Sequence, residues 1–146
     1  MTREKSIIAS LCIALVWLVT GCYAKLSLRF GNGTDGRISV ESARTGQQVE
    51  IRPKRFKKFP YSSGDLFVMT QTNGQFQFAN VSLLGYDMDP NYLDRRGSIF
   101  GPACVTLTVL LETNMELYVL VPGKRRLDPG APQPTGYPKT GQRIAN

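Results

Sequence analysis

Apolar and polar residues alternate with a period of two along much of this 146-residue chain, and this feature restricts its fold more than any other. The alternation covers residues 26–30, 38–40 and 49–51. Because successive side chains of a β-strand point to opposite faces, these stretches predict strands with one buried and one wet face. No stretch carries a convincing helical period, so the sequence predicts an all-β fold.

Further stretches extend this prediction. Residues 66–70 are apolar on both faces, which suits a central strand, whereas residues 75–83 change their apolar phase after Phe78, which predicts a bulge. Residues 105–111 and 115–121 form a predicted hairpin about a polar turn. About seven short strands without a helix indicate a single small β-sandwich.

The first 21 residues have the three parts of a secretory signal peptide. Arg3 and Lys5 give a charged start, residues 7–19 are apolar apart from Ser10, and small residues precede Cys22. The apolar run is shorter than the about 20 residues that a membrane-spanning helix needs. We therefore predict that a signal peptide, residues 1–21, precedes the sandwich.

Residues 19–22, of sequence VTGC, resemble the lipobox of bacterial lipoproteins. The resemblance implies that the chain is cut before Cys22 and that fatty acyl chains such as palmitate are attached there, which makes residues 22–24 a lipidated anchor. An uncleaved membrane anchor and an ordinary signal peptide remain alternatives. Tyr23 is not the aspartate that retains many such lipoproteins in the inner membrane. This favours the outer membrane, facing the periplasm, in a host that has one.

The remaining chain divides into two parts. Residues 25–123 hold nearly all the apolar periodicity and are predicted to be the β-sandwich domain. Residues 124–146 are basic and rich in proline and glycine, with few large apolar groups. Such a segment buries too little surface to offset the entropy of ordering, so it is predicted to be a flexible tail.

Two stretches of the domain resemble the transthyretin-like or carboxypeptidase-regulatory-like family. Residues 72–81, TNGQFQFANV, are similar to that family's hairpin, in which a threonine, a turn glycine and two alternating aromatics precede a polar residue and valine. Residues 45–49, TGQQV, resemble its earlier Thr-Gly turn. The resemblance implies a binding or structural module and carries over no catalytic residues. The sandwich is therefore expected to be transthyretin-like or immunoglobulin-like.

The charge of the chain favours anionic partners. Its formal net charge of +7 becomes +6 without residues 1–21, and export makes lipid headgroups or acidic envelope polymers the expected partners, with no nucleic acid. The basic residues concentrate in two clusters, which are Arg52, Lys54, Arg55, Lys57 and Lys58 in the first, and Lys124, Arg125 and Arg126 in the second.

The first cluster has two interpretations that the sequence leaves open. Pro53 and the cations on both faces place it on a sheet edge or in a loop, where such residues discourage pairing with a second molecule. Alternatively it contacts an anionic surface, since each cation near a charged membrane contributes about 1 kcal/mol. In that case Phe56 and Phe59 would add stacking or shallow insertion.

Two short stretches of the chain partly match the motifs of ligand-binding loops. Residues 31–36 match G-x-G-x-x-G after a strand, but a dinucleotide loop needs a helix next, and residues 37–41 alternate as a strand. A flexible turn between strands is predicted instead. Asp87, Asp89 and Asn91 present oxygens at alternate positions and form a weak calcium candidate that lacks the glycine and glutamate of an EF-hand loop.

The chain has few of the side chains that usually carry out catalysis. The chain contains no histidine, Cys104 is predicted to be a quiet structural thiol, and Glu112 and Glu116 flank a predicted turn. We therefore predict a cell-envelope lipoprotein that acts as a non-catalytic binding or structural module without a cofactor. A basic surface for anionic lipid or acidic polymer is the first alternative, and a small hydrolase is the second. The membrane through Cys22 and an envelope protein or anionic polymer are the expected partners.

Overall fold

The computed structural model describes residues 25–60, 66–72, 74–79, 81, 90–97 and 104–145. The predicted signal peptide, Cys22 and the two aspartates of the calcium candidate, Asp87 and Asp89, lie outside them. None of the helices in these ranges is long and apolar enough to span a membrane. The strands are β1 (Lys25–Asn32), β2 (Ile38–Ser42), β3 (Gln48–Ile51), β4 (Phe56–Pro60), β5 (Phe67–Gln71), β6 (Gly74–Phe78), β7 (Leu93–Arg96), β8 (Cys104–Leu111), β9 (Glu116–Val119), β10 (Lys139–Thr140) and β11 (Gln142–Arg143).

These strands form a small all-β sandwich of two sheets, which confirms the predicted fold class. In the first sheet, β1 and β8 lie parallel at the centre, with β4 on the far side of β1. The other edge of β8 is shared, because β7 pairs with its first half and β9 with its second half. The second sheet has the order β11-β6-β5-β2-β3, so that β5 is central, as its two apolar faces predict.

Two details of the strands differ from the sequence prediction. The described residues contain eleven strands rather than about seven, because four short or charged strands, β4, β7, β10 and β11, show little apolar alternation. The predicted bulge after Phe78 is wrong, since β6 ends at Phe78 and the change of apolar phase follows the strand.

The core lies between the sheets and is dominated by aromatic rings. Phe30 of β1, Phe59 of β4 and Phe67 of β5 pack edge to face, with ring centroids 5.0 to 6.0 Å apart, and so join the two sheets. Phe59 is 1% exposed. Its predicted role in stacking or membrane insertion is therefore wrong. Phe56 and Phe59 are three residues apart on β4, so they point to opposite faces of the sheet, and Phe59 points into the core.

The prediction of a flexible tail after residue 123 also differs from the structure. β10 pairs with β9 in the first sheet, and β11 pairs with β6 in the second. Between β9 and β10, the Gln133 side chain donates to the Val119 carbonyl and accepts from its amide, at 3.1 and 2.8 Å, as a neighbouring strand would. The segment is held by polar pairing and by the packing of Tyr137 and Gly141 against the core, which a composition-based prediction does not consider.

Candidate anion-binding groove

The first basic cluster begins in the connection between the two sheets and continues on an edge strand. Residues 52–55 join β3 to β4, and Lys57 and Lys58 lie on β4, which is the last strand of the first sheet. This agrees with the edge or loop position that the sequence predicts. Lys54 has a φ of +57°, a left-handed backbone conformation that residues other than glycine seldom adopt.

Backbone hydrogen bonds fix this connection against the end of β1. The Lys54 amide donates to the Asn32 carbonyl at 2.8 Å, and the Asn32 amide donates to the Arg55 carbonyl at 3.0 Å. The Lys54 ammonium also donates to the Gly33 carbonyl and lies 3.5 Å from the Asp35 carboxylate. Lys54 and Arg55, two of the three cations of the connection, are therefore held beside the loop that follows β1.

Asn32 organises that loop from a buried position. Its side-chain amide donates to the carbonyls of Gly36 and Ile51 at 2.7 and 3.0 Å, while its Oδ1 accepts from the amide and hydroxyl of Thr34 at 3.0 and 2.7 Å. A buried amide with these four bonds is fully satisfied. The residues of the G-x-G-x-x-G match thus form a turn between strands β1 and β2, but one that is fixed by hydrogen bonds rather than flexible.

The two basic clusters meet in space at a groove of about 640 Å³ on the first sheet. Lys54 and Arg55 of the first cluster and Arg125 and Arg126 of the second line it, although some 70 residues separate them in the chain. Arg29 of β1 adds a fifth cation that the sequence analysis did not nominate. The alternation of β1 shows that Arg29 faces outwards, but the sequence does not show which residues lie beside it.

The floor of the groove is apolar. The Phe56 ring lies directly on Gly31, where an added Cβ would be only 2.3 Å from Cε1 of the ring. Leu110 lies beside Gly31 in β8, is 4% exposed, and lines the groove together with Leu127. The guanidinium carbon of Arg29 lies 5.0 Å from the centroid of the Phe56 ring, a cation–π contact that holds the arginine over the floor.

The charge of the groove is strongly unbalanced. Glu112 is the one carboxylate among its lining residues, and it lies close to Gly33 at one end. In the described part of the chain, no carboxylate lies within 4.0 Å of the charged groups of Arg55, Arg125 or Arg126. Their hydrogen-bonding capacity is therefore available to an anion, and arginine pairs with carboxylates and phosphates through two parallel bonds.

The other residues of the two clusters lie outside this groove. Arg52 and Lys57 line a neighbouring concavity of about 590 Å³, which shares Arg55 and Phe56 with the groove. Lys58 stands opposite Arg29 in the register of β1 and β4. Lys124 is exposed at the turn after β9, where its amide donates to the Val121 carbonyl at 3.0 Å. Five cations therefore line the groove, and the other cations of the two clusters lie around it.

The hairpin of β8 and β9 holds the carboxylates that the sequence analysis considered for catalysis. Glu116 accepts from the Tyr118 hydroxyl and, at 2.7 Å, from the Asn114 amide. Because the hydrogen bond to Glu116 stabilises the neutral phenol, the pKa of Tyr118 is raised above its usual 10.0. This cluster supports the turn, and the Glu112 carboxylate lies close to Gly33.

The other candidate residues, Cys104 and Asn91, do not line the groove. Cys104 begins β8 and is half-buried, with no disulfide partner among the described residues. Asn91 lies in the short 3-10 helix Pro90–Tyr92. Across the residues that the structure describes, no three Cys, Asp or Glu side chains group closely enough to hold a metal ion. Comparison of the chain with protein-family models, with curated proteins and with solved structures finds no match.

Proposed function

We propose that this chain is a lipid-anchored cell-envelope protein whose β-sandwich is a non-catalytic binding module for an anionic ligand. The observation that carries the proposal is the meeting of Lys54 and Arg55 with Arg125 and Arg126 at one groove. Edge protection alone requires cations on β4 but gives no reason for a second cluster, far away in the chain, to converge on the same floor. The proposed ligand therefore binds where the two clusters meet.

The proposed anchor is Cys22, on the strength of the resemblance of residues 19–22 to a lipobox. Acyl chains on this residue would attach the domain to the membrane, with two or more chains giving stable attachment. The proposed location is the outer membrane, facing the periplasm, in a host that has one. The intact mass of the detergent-extracted chain tests this part. An acylated chain that begins at Cys22 supports it, and a cleaved chain without acyl groups contradicts it.

The binding part of the proposal is tested with a soluble polyanion. We expect the detergent-extracted chain to bind polygalacturonate, and Arg125→Gln/Arg126→Gln to weaken this binding about tenfold, since two charged contacts are lost. Arg95→Gln/Arg96→Gln is the matched control, because it removes the same charge from an exposed arginine pair on β7, which lines no part of the groove. Equal losses in the two variants would show attraction to net charge and no specific groove.

A further inference from the structure

The length of strand β1 sets the distance between the proposed anchor and the groove. It begins at Lys25, three residues after Cys22, and ends at Asn32. Three residues of chain span at most about 10 Å, and seven steps along a strand span about 23 Å. The two ends of the first sheet therefore lie at very different distances from the proposed point of lipidation.

The groove belongs to the far end of β1. Lys54 and Arg55 are bonded through the backbone to Asn32, the last residue of the strand, and the Gly33 amide donates to the Leu111 carbonyl at 2.8 Å. Leu111 is also the last residue of β8, which runs parallel to β1. Lys54, Arg55 and Phe56 thus lie where both central strands end, while Arg29 extends the groove back to the middle of β1.

A different arginine pair lies at the near end. The register places Lys25 of β1 beside Cys104 of β8, and Cys104 beside Arg96 of β7. Arg95 and Arg96 are both exposed, and the Arg96 guanidinium is paired with the Asp94 carboxylate at 3.2 Å, so Arg95 carries most of the free positive charge of the pair. Anionic headgroups attract cations that lie close to the membrane surface, so this pair would hold the near end of the sheet towards the membrane.

Screening separates the groove from the same headgroups. The Debye length is about 8 Å at physiological ionic strength, so a surface potential falls to about one fifth at Arg29, about 13 Å along β1, and to about one twentieth at the far end of the strand, about 23 Å along it. With its near end on the membrane, the domain presents the groove to the aqueous space. A ligand from that space, rather than a headgroup of the anchoring membrane, then meets Arg55, Arg125 and Arg126.

The groove combines a compact apolar floor with surrounding cations. The Phe56 ring and the Leu110 side chain meet over Gly31, where an added Cβ would lie 2.3 Å from the ring and 2.8 Å from Leu110, and the five cations line the same groove. Sugar rings have apolar faces that suit such a floor, and carboxylate or phosphate substituents suit arginine. Glu112 lies close to Gly33, where the Lys54 ammonium offsets its charge.

We propose that the groove binds an acidic polysaccharide from the aqueous side, while the opposite end of the sheet, with Arg95 and Arg96, faces the membrane that holds Cys22. This inference rests on the proposed function, in that it takes both the lipid anchor and the anionic ligand from it. It adds the class of the ligand and the direction from which the ligand arrives.

The test uses the full lipidated chain in vesicles of phosphatidylcholine, with or without phosphatidylglycerol, and labelled polygalacturonate as the probe. We expect the anchored chain to capture the polymer equally on both kinds of vesicle, to within about twofold at physiological salt. Arg125→Gln/Arg126→Gln should lower capture about tenfold on both kinds of vesicle, and Arg95→Gln/Arg96→Gln should leave it within about twofold on phosphatidylcholine alone, where that pair has no anionic headgroup to contact.

The contradicting outcomes are distinct. If phosphatidylglycerol abolishes capture, or if the chain binds polymer in detergent but not on vesicles, the groove faces the headgroups; the inference is then overturned while the proposed function stands. If the chain binds polygalacturonate neither in detergent nor on vesicles, both fail. Capture that depends equally on the two arginine pairs would overturn the assignment of the groove as the polymer site.

Discussion

The chain crosses between the two sheets several times, and the crossings that join the edge strands at the two opposite sides of the sandwich are built differently. On one side, β3 leads to β4 through residues 52–55, which are mostly charged and exposed. On the other side, β10 leads to β11 through the single residue Gly141, which lies against the ring of Phe78 and the Cβ of Phe76. The first crossing leaves its side chains in solvent, whereas the second is packed on the core.

The difference separates two tasks. At the basic crossing, the stabilising bonds come from the backbone, from the buried side chain of Asn32 and from the Lys54 ammonium, so that the guanidinium groups of Arg52 and Arg55 are left without a carboxylate partner among the described residues. At the C-terminal crossing, the backbone itself closes the sandwich, with strand pairs to β9 and β6. We therefore expect substitutions on the basic side to change binding and substitutions on the C-terminal side to change stability.

The largest effect is expected from removing the C-terminal crossing. A chain that ends at residue 136 lacks β10 and β11 and exposes the edges of β9 and β6 as well as the ring of Phe78. We expect the free energy of unfolding to fall by about 3 kcal/mol or more, measured by urea denaturation. Lys57→Gln/Lys58→Gln on the basic side should change it by less than about 0.5 kcal/mol. Equal unfolding midpoints for the truncated and full chains would contradict the assigned role of the crossing.

A single methyl group tests the same side more finely. A Cβ at position 141 would lie 2.7 Å from Cζ of the buried Phe78 ring, so Gly141→Ala should lower the free energy of unfolding by about 1 to 3 kcal/mol. Gly130→Ala is the matched control, because the nearest atom to its Cβ is 3.8 Å away. It should be nearly neutral. Comparable losses for the two variants in thermal or urea unfolding would show that the close approach of Gly141 is unimportant.

On the basic side, Lys54→Gly should move stability and binding in opposite directions. Glycine adopts the left-handed conformation at φ +57° without strain, which favours folding by about 1 kcal/mol before the lost contacts to Gly33 and Asp35 are subtracted. Removal of one cation should weaken polygalacturonate binding severalfold. Unfolding and binding measured on the same preparation check this. A variant that loses both stability and affinity would indicate that the Lys54 side chain is needed structurally.

The smallest effect is expected at the hairpin of β8 and β9, where pH acts through Tyr118. Since the pKa of Tyr118 is raised above 10.0 by its hydrogen bond to Glu116, the folded state is stabilised fully below pH 10 and loses this contribution as pH rises through the raised pKa. Titration of tyrosinate absorbance, with Tyr118→Phe to assign the signal, should show Glu116→Gln lowering this pKa. An unchanged pKa would mean that the hydrogen bond does not form in solution.

Much of the first sheet and the whole centre of the second could be predicted from the sequence, because their strands bury one or both faces. The alternation at Leu28 and Phe30, and the doubly apolar β5, identify strands wherever they lie. The short strands β10 and β11 carry no such signal. Their places are set by backbone pairing and by the absence of a side chain at Gly141, which depend on tertiary neighbours.

The groove was half predictable for a similar reason. Both basic clusters are plain in the sequence, and so is Phe56 as a candidate for stacking. Their convergence is not, because it depends on the path of the chain after β9. Arg29 was missed because a cation on the wet face of a strand is ordinary until the ring of Phe56 is known to lie beneath it.

The claim that the two basic clusters form one site is tested most directly by titration calorimetry of the natural chain, Arg55→Gln and Arg126→Gln with a short oligogalacturonate. The account predicts one ligand bound per chain and a weaker affinity in both variants, with the stoichiometry unchanged. Two ligands per chain, one lost in each variant while the other keeps its affinity, would mean that the clusters bind separately and that the groove is not a single site.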